Sequence, residues 1–352
     1  MIKEKIAIII GGQSTEHQVS LISGKSIIEN IDRTKYSPVI IGIDQTGAWH
    51  YFPGEEYLSE ADTVDKVSLN LDFAQDIRID FTGKVLLSRG EKIDVDVFFP
   101  VLHGKNGEDG TIQGLFELLG ISYVGCGVLG SATCMDKDVA KRLLDRGGIK
   151  NANFITLRVG DEFDLDEIVS NLGLPMFVKA ANGGSSVGVS KVSEADQLLS
   201  AIEDAFQYDN KVILEEMIVG RELECAVLGN ENAEASIVLG EILPYKEEYY
   251  SYEAKYINDD GVKLLAPAIV DEQTLGMIRS IALRTYHCLE CRGLSRIDFF
   301  LTEAGEIVVN EVNTLPGFTS ISMYPRLWQE SGLSYCDLIT QLIVFAQGKE
   351  PR

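Results

Sequence analysis

Leu294-Ser295-Arg296-Ile297-Asp298-Phe299-Phe300-Leu301, then Thr302-Glu303-Ala304-Gly305-Glu306, then Ile307-Val308-Val309-Asn310-Glu311-Val312-Asn313: the reading of this stretch decides the fold. Both ends alternate and are rich in apolar residues, and the middle is a turn signal carrying glycine, so the whole reads as a β-hairpin. With Ala304 and Gly305 as a two-residue turn, Asp298 faces Glu311 and Arg296 faces Asn313, and all four side chains project from one face. Two carboxylates about 5 Å apart repel each other, which asks for a positive group between them. An all-oxygen set of Asp, Glu and Asn suits Mg²⁺ better than zinc. The other reading is a pair of solvated acids on an open sheet face. Phe299, Phe300, Val308 and Val309 argue against it, because they predict a sheet covered on both sides, where unpaired acids are costly.

The chain has 352 residues, long enough for two or three domains, with 45% hydrophobic and 24% charged residues as in ordinary globular proteins. The apolar run after Met1 is too short for a signal-peptide core, and no run approaches a membrane span, so a cytoplasmic location without membrane insertion is expected. Six cysteines scattered through so long a chain also fit a reducing compartment. Cys288 and Cys291 form one C-x-x-C at the end of an expected helix over 275–290; without a second pair they read as structural thiols. A formal charge of −23 disfavours a nucleic-acid partner, and it requires any site for an anionic substrate to be locally basic.

Strand and helix alternate through the first third. A continuous apolar strand over 6–10 runs into a Gly-Ser-Thr loop and a helix over 16–30, with a second strand at 39–43. Residues 44–91 are polar and less regular, with short strands around Trp49, Ile77 and Val85. A buried strand over 95–101 leads to His103-Gly104-Lys105-Asn106-Gly107-Glu108-Asp109-Gly110. Ile112, Leu115, Phe116 and Leu119 then mark a helix by their spacing. An open parallel sheet with ligand loops at the strand C-termini is expected. Beyond Gly125 a helix over 136–146 precedes antiparallel strands at 176–180, 188–192, 212–216 and 222–228, divided by a helix over 194–205. A Tyr- and charge-rich loop over 245–263 comes before the opening hairpin. The expected domains are 1–130, 131–228 and 229–352.

Gly183-Gly184-Ser185-Ser186-Val187-Gly188 joins two strands and reads either as a plain turn or as a hairpin that folds N–H groups over a polyphosphate. It is neither a Walker A loop nor a dinucleotide fingerprint. Lys179, ending the preceding strand, favours phosphate, and Lys137 adds a second ammonium unless it is merely a solvated helix face. Glu215, Glu216 and Glu222 sit where acids can accept from adenine or ribose, or are ordinary strand ends. Glu16 follows Gly11-Gly12-Gln13-Ser14-Thr15 where a strand meets a helix. Its two readings are a first-turn acid behind a Ser14 or Thr15 cap, or an anchor for a substrate ammonium. His103, also at a strand end, either satisfies loop backbone or meets a substrate carboxylate.

Taken in order, these motifs strongly resemble the D-alanine–D-alanine ligase family of the ATP-grasp superfamily over nearly the whole chain. The resemblance rests on Gly11-Gly12 through Glu16 to Val19-Ser20-Leu21, on His103-Gly104 with 107–110, and on Met135-Asp136-Lys137. It continues in 184–188, Glu253-Ala254-Lys255-Tyr256, Arg296-Ile297-Asp298, and 310–319. It implies an ATP-grasp fold of mixed α/β and α+β class, in which an N-terminal parallel α/β domain and two antiparallel α+β lobes clamp ATP. It implies ATP-dependent joining of two D-alanines through an acyl phosphate, for peptidoglycan precursor synthesis. By the same resemblance Asp298, Glu311 and Asn313 hold two Mg²⁺ (or Mn²⁺), and Lys137, Lys179 and Lys255 contact phosphates beside Gly184, Ser185 and Ser186. Arg296 and the Gly317 N–H form an oxyanion site, and Glu16, Ser185 and Tyr256 form a hydrogen-bonded trio at the first substrate's ammonium. His103 neighbours that substrate's carboxylate, Ser322 and the Met323 backbone receive the second carboxylate, and the loop with Lys255 and Tyr256 closes as a lid. A homodimer is implied as well.

Some positions depart from the family pattern. Ala180 stands where many members have proline, Ser251 where aspartate is common, and Ile321 where histidine often precedes the serine. Met323 and Tyr256 favour D-alanine as second substrate, whereas 101–117 look like the D-serine relatives. A D-alanine–D-serine ligase is therefore one alternative, and an ATP-binding regulatory module without turnover is another from a different class.

Overall fold

The computed structural model describes residues 3–59, 66–82, 84–184, 188–244 and 262–349. Ser185, Ser186, Lys255 and Tyr256, and with them the proposed lid, lie outside the described residues.

The first sheet contains β1 (Glu4–Gly11), β2 (Tyr36–Ile43), β3 (Trp49–Phe52), β4 (Gln75–Asp80), β5 (Val85–Ser88), β6 (Glu91–Ile93), β7 (Val97–Val101) and β8 (Ser122–Tyr123), in the order β6-β5-β4-β3-β2-β1-β7-β8. Strands β2, β1, β7 and β8 are parallel, and the polar stretch after Asp44 supplies an antiparallel flank. Ile6 to Ile10 are all fully buried, because α1 (His17–Asn30) covers one side of β1 and α2 (Thr111–Leu119) packs on the other. From β1 the chain crosses to β2 on one side, while β7 lies on the other. The C-terminal ends of β1 and β7 therefore open onto one crevice, with Ile10 paired to Val101.

Helices α3 (Val128–Met135) and α4 (Lys137–Arg146) lead into the second sheet. It contains β9 (Phe154–Arg158), β10 (Met176–Ala180), β11 (Val189–Val192) and β12 (Lys211–Glu216), ordered β11-β10-β12-β9 and antiparallel throughout. Its apolar face is closed by α5 (Leu165–Leu172) and α6 (Leu198–Ala205).

The third sheet is built on β13 (Arg221–Gly229), with β14 (Glu234–Ala235), β15 (Gly240–Pro244), β16 (Val262–Leu265), β17 (Gly293–Leu301) and β18 (Ile307–Asn313). Strand β13, grouped with the central lobe by its place in the chain, pairs along its whole length with β17 instead. Alternation sends Leu223, Cys225, Val227 and Ile297 against α7 (Glu272–Cys288), where Ile278, Ala282 and Tyr286 are fully buried. The opposite face carries Glu222, Glu224, Arg296 and Asp298. Two further helices, α8 (Met323–Glu330) and α9 (Tyr335–Ala346), join this sheet to α1 and the first sheet in one core. All six cysteines are free thiols; Cys291 is buried with its sulfur 3.5 Å from that of Cys134.

The hairpin differs from the sequence reading in its turn. Leu301 pairs with Ile307, and Thr302 N–H donates to Glu306 O at 3.0 Å. The loop is therefore three residues, 303–305, with Gly305 left-handed at φ +80°. That frame, continued, would send Glu311 to the same side as Val309, into the apolar layer under α7. A β-bulge prevents it: Phe299 pairs with Val309 and Asp298 with Glu311, which leaves Asn310 extra. One inserted residue flips every later side chain, so Val309 and Val312 share the buried layer while Glu311 and Asn313 turn to the open face. The expected pairs, Asp298 with Glu311 and Arg296 with Asn313, are both present.

Candidate active site

Between the three sheets lies a cavity of about 350 Å³. From the first sheet come Glu16 and His103, delivered by the loops after β1 and β7. From the second region come Lys137, Lys179, Gly184, Glu215 and Glu216. The third sheet and the segment after it supply Glu222, Arg296, Asp298, Glu311, Asn313, Gly317, Ser322 and Met323. These are the described residues singled out from the sequence, and all of them line this one cavity.

Glu16 is the N-cap residue of α1, with Ser14 Oγ accepting from its N–H at 3.1 Å, so the helix starts one residue later than read. Its carboxylate is buried and faces the cavity. A side chain built on Gly184 would stand 3.8 Å from Gly104 Cα and 4.0 Å from Glu16 Oε2. The glycine loop thus begins against both N-terminal loops. His103 Nδ1 lies 3.0 Å from Leu315 O, which can only accept, so Nδ1 carries a proton. Burial holds the imidazole below its ordinary pKa, against the opposing pull of Glu16. Nε2 is buried and has no protein hydrogen-bond partner among the described residues. The backbone reading of His103 thus holds for one nitrogen, and the residue also lines the cavity.

Glu108, in the His103–Gly110 motif, ties the loop after β7 to the segment after β18. Its carboxylate accepts from Gly104 N–H at 2.7 Å and Leu315 N–H at 3.1 Å. Burial, reinforced by Glu16, pushes its pKa up to about 8.

On the third sheet Arg296 donates to both oxygens of Asp298, at 2.8 and 2.7 Å, and lies 3.0 Å from Glu224 across the ladder. Burial opposes its charge, but Asp298 and Glu224 outweigh that and keep the guanidinium ionised. Glu224 went unnoticed in the sequence, although it alternates with Glu222 and so shares its face. Asn313 spends an N–H on Asp298 at 2.9 Å, so the atom it can offer a cation is its oxygen. Among the described residues no three His, Cys, Asp or Glu side chains are gathered round a cation-sized space. The donors suit a hard dication in kind, all being oxygens; Asp298 must share itself between that ion and Arg296.

Beside the glycine loop, Lys137 donates to Gly183 O at 2.7 Å. Lys179 and Glu215 are diagonal neighbours on β10 and β12, 2.5 Å apart. Glu215 also pairs with Lys141 at 3.1 Å. Burial works against the Glu215 charge, but the two ammoniums prevail and bring its pKa down to about 2. Its carboxylate, which also lines the cavity, is thus held by two lysines. Glu216 accepts from the N–H and side-chain amide of Asn153, at 2.8 and 3.0 Å. Lys141 is a second residue absent from the sequence reading; it stands one helical turn from Lys137 on the same face of α4.

The segment after β18 closes the cavity. Ser322 is the N-cap of α8 and Met323 its first residue, which leaves the helix's first N–H groups facing any anion placed there. Ser322 Oγ accepts from Thr319 N–H at 2.9 Å and lies 2.7 Å from Thr319 Oγ1. A Cβ on Gly317 would stand 2.8 Å from that same oxygen. The Met323 side chain turns inward and packs against Gly240.

Residues 5–126 match the family described as D-ala D-ala ligase N-terminus, and residues 143–344 match D-ala D-ala ligase C-terminus. The chain is 49% identical to the D-alanine–D-alanine ligase of Proteus mirabilis, over 98% of this chain and 96% of that protein. It is 47% identical to D-alanine–D-alanine ligase A of Escherichia coli K12, over 98% and 96%. Among solved structures it is similar to the VanG D-Ala:D-Ser ligase of Enterococcus faecalis, with TM-score 0.85, 39% identity, and coverage of 98% and 100%. It is also similar to a Bacillus anthracis D-alanine–D-alanine ligase complexed with ATP, with TM-score 0.74, 28% identity and 98% coverage of both chains. These matches show that the chain belongs to the D-alanine–D-alanine ligase family.

Proposed function

We propose that the protein joins two D-alanine molecules into D-alanyl-D-alanine with cleavage of ATP to ADP and phosphate, as a cytoplasmic, homodimeric enzyme of peptidoglycan precursor synthesis. The observation that carries this reading is the convergence of an acid at the β1 loop, lysines beside the glycine loop, and the Arg296–Asp298–Glu311–Asn313 face on one cavity.

In this reading Glu16 receives the ammonium of the first D-alanine, and Ser185 and Tyr256 complete that contact. His103 takes its carboxylate; the neutral ring must gain a proton at Nε2 to do so. Lys137, Lys179 and Lys255 neutralise the ATP phosphates, the N–H groups of 184–186 cradle them, and Glu216 and Glu222 lie toward the nucleoside. Asp298, Glu311 and Asn313 would hold Mg²⁺ or Mn²⁺, which neutralises charge on the phosphates during transfer. The first carboxylate attacks the γ-phosphorus, the bond to the β,γ-bridging oxygen breaks, and ADP leaves as the acyl phosphate forms. The amine of the second D-alanine, its carboxylate held by Ser322 and the N–H groups at the start of α8, attacks that carbonyl. Arg296 and the Gly317 N–H stabilise the tetrahedral oxyanion, where one donor is worth roughly 3 kcal/mol. Phosphate then leaves.

The test is phosphate release with ATP and Mg²⁺ across D-alanine, D-serine and D-lactate. D-Alanine is expected to give the highest kcat/KM as acceptor. The likeness to a D-Ala:D-Ser ligase structure makes D-serine the second reading. D-Serine outperforming D-alanine would establish it, and release indifferent to any D-amino acid would favour a nucleotide-binding module instead.

A further inference from the structure

Three charged groups are linked by ion pairs at the phosphate end of the cavity. Lys179 and Glu215 both line it, and Lys141, which is not among the lining residues, pairs with Glu215 as well. The side chains of Lys179, Glu215 and Lys141 are 14%, 7% and 4% exposed, so water screens these pairs poorly. Lys141 is also tethered from other directions. It lies 3.3 Å from Ala152 O, 3.4 Å from Asn151 Oδ1, and 5.6 Å from the centroid of the Phe154 ring.

A buried carboxylate left without a cation is strongly destabilising. If Lys179 were the sole counter-ion of Glu215, turning it toward a phosphate would expose that cost. Lys141 removes the conflict, because Glu215 stays paired whichever way Lys179 points. Of the two positive charges, one offsets Glu215 and the other is left for an anion, in a chain whose overall charge is −23.

We propose that Lys141 is a positioning residue for ATP: a fixed counter-charge that holds Glu215 and thereby releases Lys179 to the nucleotide phosphates. This inference rests on the cavity being the ATP site, as argued above. Without Lys141 the carboxylate keeps Lys179 for itself and the phosphates lose a cation.

The experiment uses the full-length chain, with calorimetric binding of Mg·ATP and the KM values for ATP and D-alanine. Lys141→Met is expected to weaken ATP binding roughly tenfold or more while the KM for D-alanine stays within about twofold. Adding Glu215→Gln, which removes the carboxylate that traps Lys179, is expected to restore most of that loss. A purely structural role for Lys141 predicts no such rescue. ATP affinity within about twofold of wild type in Lys141→Met, or a double variant no tighter than the single, overturns the proposal. If Lys141→Met alone does not fold, Glu215→Gln is compared with the double variant, in which no buried charge is left unpaired. Lys141 should then cost less than about twofold, and a tenfold loss overturns the proposal. Wild-type protein that binds no ATP refutes the nucleotide reading itself, and the proposal with it.

Discussion

Asp298 stands across the ladder from Glu311 because Asn310 is an extra residue in β18. Without that bulge the three-residue turn would place Glu311 in the apolar layer beneath α7, where an ionised carboxylate is costly. The bulge therefore sets which acids reach the cavity.

Glu311→Gln should separate chemistry from folding. Glu311 lines the cavity rather than the core, so the melting temperature is expected to stay within about 3 °C. ATP- and D-alanine-dependent phosphate release should fall by about a hundredfold or more. Wild-type turnover with an unchanged Mg²⁺ requirement would remove the metal role from this residue.

Arg296→Met should unfold the protein more readily, because Glu224 and Asp298 are register partners that would then face each other without their cation. The expected cost is about 3–5 kcal/mol in urea denaturation. Adding Glu224→Gln should recover part of the stability but none of the activity, since the oxyanion donor stays absent. A stability unaffected by the first change would mean that the cluster is not held by Arg296.

Gly317→Ala puts a methyl group 2.8 Å from Ser322 Oγ, an atom that Thr319 already fixes. The loop has to move, at an expected cost of about 1–3 kcal/mol. A loss in kcat of roughly a hundredfold should accompany it, because the Gly317 N–H leaves its place. Unchanged kcat at saturating substrates would show that this N–H takes no part.

Glu108 gives stability a pH dependence of definite sign. Its pKa rises from an ordinary 4.5 to about 8, so between those values the folded chain keeps a proton that the unfolded chain has lost. Stability from this group therefore falls as pH rises through that window and levels off above it. Glu108→Gln should flatten the fall, measured as urea midpoints at about pH 5, pH 7 and pH 8.5. An identical slope in both proteins would place the proton elsewhere.

Much of the site is legible in the chain because it sits at predictable places in regular elements. Glu16 and His103 follow apolar strands, and the ends of parallel neighbours open onto one crevice. Lys179 ends a strand beside a glycine loop, and Arg296, Asp298 and Asn313 alternate on a hairpin. Glu108, Lys141 and Glu224 escape such a reading because their roles depend on partners far away in sequence. Glu108 meets Leu315, Lys141 meets Glu215, and Glu224 meets Arg296. The place of β13 in the third sheet was hidden for the same reason, since chain order groups it with β12 while its hydrogen bonds go to β17.

Sequence alone determined which faces are apolar, where strands give way to loops, and which acids and bases sit at those junctions, because periodicity and turn chemistry are local properties. Only the tertiary structure decided which carboxylates are neutralised by which cations, and on which side of the third sheet Glu311 emerges. Those outcomes depend on burial, and burial is created when separate segments pack together.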